Sequence, residues 1–248
     1  MSELILTQVD AGVLTVTFNR PSKKNAFTHE MYSALTEALA AGAAHAEVKV
    51  VLLTGAGGAF TAGNDLADFL EHPPTGEASP VFQFLRTLAG YAKPVVAAVQ
   101  GAAVGIGTTL LLHCDDVVVS DNARFSLPFV NLGLCPEGGA SVLLPLAAGM
   151  PLASELLLLG EPFDAATALR ARIASVIAPD ASLHATARAR ALKYASRPAA
   201  SLAATKALVR EPTRAQVEAA LSREGAVFME RLQSPEAKAA FAAFLQRK

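Results

Sequence analysis

Apolar and polar positions along this chain fall into patterns that separate strands from helices. Residues 4–9 (LILTQV) and 13–18 (VLTVTF) are strand-like, and Asp10-Ala11-Gly12 between them is a good hairpin turn. Met31, Leu35 and Leu39 recur at about one helical turn, which predicts a helix through Ala43 with Thr28 as its N-cap. Residues 48–54 (VKVVLLT) form a near-continuous apolar run, as expected for a strand covered on both faces. A glycine-rich loop, GAGGAFTAGND, follows, and then a short helix from about Asp65. Residues 72–80 (HPPTGEASP) read as a surface excursion, after which Ser79-Pro80 opens another helix. Next come strand Val95–Val99, a glycine-rich turn, helix 104–113, strand Asp116–Ser120 and a short strand at Arg124–Ser126. From Gly138 onward the pattern is helical, apart from a short strand near Val176, and Ser234-Pro235-Glu236 caps a final helix. Short branched strands alternating with helices predict an α/β core with parallel strands. The helical part, residues 200–248, either packs on that core or serves association.

Composition narrows the function classes. With 248 residues, 52% hydrophobic and 17% charged, the chain can bury a real core and is not a disordered tail. Its net charge of −1 offers no basic surplus to neutralise phosphates in bulk, so nucleic acid is not an expected partner. There is no Trp, and the Tyr residues form no cluster that would make a base-stacking platform. Cys114 and Cys135 are too few for a disulfide framework or a four-cysteine zinc site, and a reducing, cytoplasmic compartment is expected. The opening MSELILTQVD has no basic-then-apolar signal pattern. Residues 94–114 carry no Asp, Glu, Lys or Arg, yet Pro94, Gly101, Gly105, Gly107, Gln100 and His113 fit a buried strand, turn and helix better than a membrane span.

Three stretches hold candidate chemistry. The loop GAGGAFTAGNDL (residues 55–66) follows a buried strand, and its glycines let backbone N–H groups approach a ligand. It is neither a dinucleotide fingerprint, since Phe60 stands where the last glycine would be, nor a P-loop. The second stretch, GAAVGIGTTLL (residues 101–111), repeats the order strand, turn, helix start, where unpaired N–H groups gather. Two such loops can converge on one oxygen as an oxyanion hole, or their glycines can simply allow tight strand-to-helix packing. The third stretch is LGLCPEGGAS (residues 132–141), with the single acid Glu137 among apolar neighbours. A desolvated carboxylate there is a general base near neutral pH, and a helix-start acid is the alternative.

Other polar groups carry less. His113-Cys114-Asp115-Asp116 has metal-ligand types, but consecutive residues at a helix end point in different directions, and no metal is expected. Ser141 lacks the second glycine of a nucleophile elbow. His29, His45, His72 and His184 are scattered.

NRPSKKNAF (residues 19–27), GAFTAGNDL (58–66), KPVVAAVQGAAVGIG (93–107) and CDDVVVSDNARFSLPFVNLGL (114–134) together resemble the crotonase, or enoyl-CoA hydratase/isomerase, superfamily. The resemblance covers essentially the whole chain. It implies a crotonase-like spiral of ββα units over residues 1–199 and a helical C-terminal trimerisation region over 200–248, as one continuous family domain. It also implies an acyl-CoA thioester as substrate, no separate cofactor, and a homotrimer or a hexamer built as a dimer of trimers. Carried over residue by residue, the oxyanion hole falls on the N–H groups of Ala62 and Ile106. Substrate and coenzyme A contacts fall on Lys24, Asn25, Ala26, Thr61, Gly63, Asn64, Asp65, Leu66 and Gly107. Arg20, Lys23, Lys24, Arg247 and Lys248 are candidate phosphate partners, or else ordinary solvated cations.

One departure from the family pattern is informative. Where hydratases of this family carry two glutamates, this chain has Thr109 and Phe129. Pro136-Glu137-Gly138 instead matches the triplet that holds the catalytic acid in peroxisomal-type 3,2-enoyl-CoA isomerases, which also share GNDL and AVGI (residues 63–66 and 103–106). The resemblance therefore implies a double-bond shift with Glu137 as the proton carrier. Hydration, another crotonase-type lyase or thioester hydrolase reaction, and a non-catalytic acyl-CoA- or RNA-binding role are the alternatives.

Overall fold

The computed structural model describes residues 3–246. Strands β1 (Ile5–Asp10) and β2 (Val13–Phe18) form the expected antiparallel hairpin, with Ile5 opposite Phe18 and Asp10 opposite Val13. Ala11 and Gly12 at its tip have φ of 49° and 79°, the left-handed pair that a tight hairpin turn demands. Thr28 caps helix α1 (His29–Ala44) by accepting the Met31 N–H. Strands β3 (Val50–Gly55) and β4 (Val95–Val99) continue the sheet in parallel with β2.

Between β3 and β4 lie helix α2 (Leu66–Glu71), the excursion, and helix α3 (Pro80–Ala89) with proline in its first turn. After β4 the chain departs from the expectation of a turn followed by one long helix. Ala102–Val104 is a strand, β5, because its backbone pairs with Arg124–Ser126. Gly105, at φ 55°, breaks it, so helix α4 begins only at Ile106 and runs to Thr109, continued by a 3-10 turn over Leu110–His113.

Strand β6 (Asp116–Ser120) returns to the main sheet, and β7 (Arg124–Ser126) is the partner of β5. Then come α5 (Ala140–Ala148), α6 (Met150–Leu159), β8 (Phe163–Asp164), α7 (Ala165–Arg170), β9 (Val176–Ala178) and α8 (Leu183–Ala195). The chain closes with α9 (Ala199–Leu232) and α10 (Pro235–Gln246). The main sheet has the order β1-β2-β3-β4-β6-β9, antiparallel only at β1, and the small sheet has the order β5-β7-β8. The two-residue strand β8 has no counterpart among the expected elements, being too short to show a period.

Every residue of β3, β4 and β6 is buried, which is why they read as continuous apolar runs. One face carries Phe18, Leu53 and Val99 into the main core with Leu35 and Leu39 of α1 and Leu85 and Leu88 of α3. The other face, with Val50, Leu52, Val96 and Val118, meets the Leu183, Ala187, Ala191 and Ala195 stripe of α8, whose small side chains let helix and sheet approach closely. Helix α9 packs on α3 and α5. Lys206 and Arg210 of α9 pair with Asp115 at 2.6 and 3.0 Å. No helix among the described residues is long and apolar enough to cross a membrane.

Candidate active site

The loop after β3 is stitched along both edges. On one edge, the Thr61 N–H donates to the Ala102 carbonyl at 2.9 Å, and the Val104 N–H donates back to the Thr61 carbonyl at 3.1 Å. On the other, Phe27 donates to the Gly63 carbonyl at 2.7 Å and accepts from the Asp65 N–H at 2.8 Å. A parallel bridge of this kind uses the residues flanking Asn64, so the N–H and carbonyl of Asn64 itself face away from Phe27.

This corrects the assignment of Ala62. Its N–H donates to the Lys24 carbonyl at 2.9 Å and is not available to a ligand. The direction of the N–H groups changes at Gly63, whose φ is 83°, so the available donor on this loop lies at Asn64. Ile106 heads α4, where an N–H has no intrahelical acceptor. Neither the Asn64 nor the Ile106 N–H has a hydrogen-bond partner among the described residues. The two loops touch. A Cβ on Gly63 would lie 2.6 Å from the Val104 carbonyl oxygen, and one on Gly107 would lie 2.6 Å from the Thr61 methyl, so only glycine fits at either place.

Glu137 is 3% exposed. The Thr109 hydroxyl donates to its Oε1 at 2.5 Å, and its Oε2 is buried with no hydrogen-bond partner among the described residues. Burial pushes its carboxyl up to about 8, with the Thr109 hydrogen bond opposing the shift and the charge of Glu224 adding to it. Tyr32 of α1 faces the same acid. Its phenol is held well above the ordinary value, first by burial and then by the Glu137 charge, and its hydroxyl donates to Asn64 Oδ1.

The helix-start alternative for Glu137 is answered by a different residue. Glu224 of α9 accepts from the Gly139 N–H at 2.6 Å and from the Ser141 N–H and hydroxyl at 2.9 and 2.5 Å. The acid at the start of α5 is thus Glu224, and the side chain of Glu137 takes no part in capping. Gly138 is held too, because His113 Nε2 donates to its carbonyl at 2.7 Å. Burial pushes the His113 ring down to about 4, so it stands neutral near pH 7. Sequence reasoning set His113 aside as a core residue and did not single out Glu224 or Tyr32, and no local pattern marks any of the three.

The remaining expected contact residues divide into framework and surface. The side chain of Asn25 donates to the Ala56 and Ala59 carbonyls at 2.8 and 2.7 Å and accepts the Arg20 N–H, so it braces the loop. Thr61 does the same, donating to the Asn25 carbonyl at 2.7 Å and accepting the Gly63 N–H. Asp65 pairs with Arg20 at 2.7 Å and caps α2, whose first residue is Leu66. The carbonyl of the buried Ala26 accepts from Arg20 at 3.1 Å. Lys23 and Lys24 are exposed and make no ion pair among the described residues, whereas Arg247 and Lys248 lie outside them. Phe129 is buried in the core.

No group of His, Cys, Asp and Glu among the described residues is arranged to hold a metal. Asp115 faces Lys206 and Arg210, Asp116 pairs with Arg190 at 2.6 Å, and burial pushes the Cys114 thiol up to about 12. A cavity of about 690 Å³ is lined by Tyr32, Phe69, Val81 and the excursion between α2 and α3. A second, of about 730 Å³, lies between α3 and α9 beside Arg86, His113, Lys206 and Arg210.

Comparison with known proteins agrees with this architecture. The family model for enoyl-CoA hydratase/isomerase matches residues 8–248. Enoyl-CoA delta isomerase 2 of Rattus norvegicus is 34% identical over all of this chain, which spans 64% of that relative's length. The 2,3-dehydroadipyl-CoA hydratase of Escherichia coli (strain K12) is 33% identical over all of this chain and 97% of its own. The solved structure of Pseudomonas aeruginosa OdaA superposes with a TM-score of 0.96 at 44% identity, covering 99% of this chain and 100% of that one. With its two touching glycine loops, its small second sheet and its C-terminal helices, the chain belongs to the enoyl-CoA hydratase/isomerase family and has the crotonase fold.

Proposed function

We propose that this protein is a 3,2-enoyl-CoA isomerase, moving a double bond of an acyl-CoA thioester from the 3,4 to the 2,3 position. The observation that carries the reading is Glu137. It is a buried carboxylate with one oxygen held by Thr109 and the other unpartnered, beside loops that offer two unpartnered N–H groups. The Asn64 and Ile106 N–H groups polarise the thioester carbonyl and acidify the α carbon. Glu137 removes the α proton, the same two donors hold the dienolate, and Glu137 returns the proton at the γ carbon. In enzymes generally, loss of one such donor costs about 3–4 kcal/mol of transition-state stabilisation.

Water addition calls for a second acid–base group to order the water. Thr109 occupies one hydratase position as a neutral hydroxyl already bonded to Glu137, and Phe129 occupies the other. Glu224, the nearby second carboxylate, is engaged by three donors. The substrate's coenzyme A follows the Lys24–Ala26 and Thr61–Leu66 backbone, with exposed Lys23 and Lys24 toward its phosphates. The cavity walled by Tyr32 and Phe69, of which Tyr32 also feels the charge of Glu137, takes the acyl chain. Exposed Leu146, Met150, Leu158 and Leu159 on α5 and α6 supply apolar surface for assembly as a homotrimer.

Matched 3-hexenoyl-CoA and 2-hexenoyl-CoA test the reading, with bond migration and water addition both followed. Isomerisation of the first, and a loss of about two to four decades of rate in Glu137→Gln, are expected. Normal isomerisation by the folded variant refutes the role of Glu137, and faster hydration of 2-hexenoyl-CoA refutes the reaction.

A further inference from the structure

The segment Glu137-Gly138-Gly139 is gripped from two sides by buried side chains. His113, at the end of the turn that follows α4, holds the Gly138 carbonyl at 2.7 Å. Glu224 reaches across from α9, 85 positions away, and takes the Gly139 N–H at 2.6 Å. Gly138 and Gly139 both have left-handed φ, 72° and 73°, so the peptide between them presents its groups to these two holders. The glycine pair therefore gives no free swing to the carboxylate, and its purpose is a turn that only glycine makes without strain.

Glu224 has no other evident duty of this cost. A carboxylate 6% exposed on a helix is expensive unless paired or well hydrogen-bonded. Here it meets three donors, all belonging to the two residues Gly139 and Ser141 at the start of α5. A neutral N-cap side chain such as Ser, Thr or Asn can satisfy a helix start without burying a charge. The position of that charge, next to the base, is what a neutral cap would lack.

We propose that Glu224 is a positioning residue for Glu137, fixing the loop that carries the base and keeping a second negative charge beside it, so that α9 is part of the reaction centre. The proposal rests on the reading of Glu137 as the base. The titratable groups facing Glu137 are Tyr32 from α1, Glu224 from α9, Cys135 from its own loop, and His113 through the Gly138 carbonyl. Arg223 lies near Glu224, and Arg231 lies near Cys135. Of these, Glu224 is the one whose like charge opposes ionisation of Glu137.

Replacement of Glu224 by Gln keeps the shape and removes the charge. The acid limb of kcat/KM for 3-hexenoyl-CoA is expected to move down by about 0.5 to 1 pH unit, since a nearby like charge raises a carboxyl. The plateau kcat above that limb is expected to fall about tenfold to a hundredfold, as a misplaced catalytic group does. Glu224→Asp, which keeps the charge but cannot span both Gly139 and Ser141, is expected to lower kcat and leave the limb in place. A role confined to stabilising the fold would reduce the amount of folded enzyme and move no limb. An unmoved limb in folded Glu224→Gln therefore overturns the proposal.

If Glu224→Gln does not fold, Ser141→Ala decides, because Ser141 is an exposed residue whose hydroxyl serves Glu224. A fall in kcat of about threefold to tenfold at unchanged KM supports the clamp, since only part of the worth of one lost hydrogen bond to a charged group is passed on to the base. An unchanged kcat overturns it. Glu137→Gln, run alongside, separates the two ideas. If it is fully active, the base assignment fails. If it is inactive while the Glu224 and Ser141 variants behave as wild type, only the clamp fails.

Discussion

Thr109→Val tests how the environment sets the strength of the proposed base, Glu137. The substitution replaces a hydroxyl by a methyl at a fully buried position and removes the donor to Glu137 Oε1. A hydrogen bond to a charged group contributes about 1.5–3 kcal/mol, and about 1.4 kcal/mol corresponds to one pKa unit. Because the bond favours the ionised form, its loss raises the carboxyl further, from about 8 by about one to two units. The base must be ionised to act. At pH 7 a group with pKa near 8 is ionised in roughly one molecule in ten, and one shifted up by one unit in roughly one in a hundred. The variant should therefore lose about tenfold or more in kcat/KM at pH 7 and recover most of it above pH 10. Initial rates with 3-hexenoyl-CoA, read from the absorbance of the conjugated product across that range, give the acid limb and the plateau. Thermal melts at each pH confirm that the fold is intact. If the limb stays where it was, or moves to lower pH, then Thr109 does not tune Glu137, and the ordering of causes given above is wrong.

Two further outcomes follow from the same site. The folded-state pKa of Glu137 lies above its unfolded value of 4.5, so its contribution to stability is full below pH 4.5 and is lost as pH rises through 8. Glu137→Gln should therefore be more stable than wild type at pH 9, by up to about 5 kcal/mol, and similar to it near pH 4. Denaturant unfolding at both pH values measures this, and a gain that is equal at the two counts against the raised pKa. Tyr32→Phe removes the hydroxyl that holds the Asn64 side chain. It should lower kcat roughly tenfold with the acid limb moved by less than it moves in Thr109→Val, because it disturbs a donor loop rather than the base. A rate equal to wild type would separate Tyr32 from the site.

Much of the scaffold was legible in the sequence because each signal there is local. The buried run at residues 48–54 became β3 within two residues, and Thr28 became the cap of α1. Strand β5 was missed because three residues with small side chains have no readable period, and pairing with β7 decides their state. At the candidate site, the Ala62 N–H expected to face a ligand is taken by the Lys24 carbonyl, and the unpartnered N–H on that loop lies two residues later, at Asn64. Which way an N–H points depends on the left-handed φ of Gly63 and on the bridge to Phe27, neither of which a residue string reveals. Glu224 was invisible for another reason. On a helix it reads as one more surface acid, and only the packing of α9 on α5 buries it.

With Oε1 engaged by Thr109 and Oε2 bonded to nothing among the described residues, Glu137 offers a proton few exits. In the proposed reaction, the hydrogen that leaves the α carbon is the same one delivered to the γ carbon. A deuterium at the first would be carried to the second instead of washing out into water. A shallower carboxylate could drive the same double-bond shift, but it would lose track of the atom. In that proposed reaction, enclosure governs where each hydrogen in the product comes from, as well as how readily the carboxyl of Glu137 ionises.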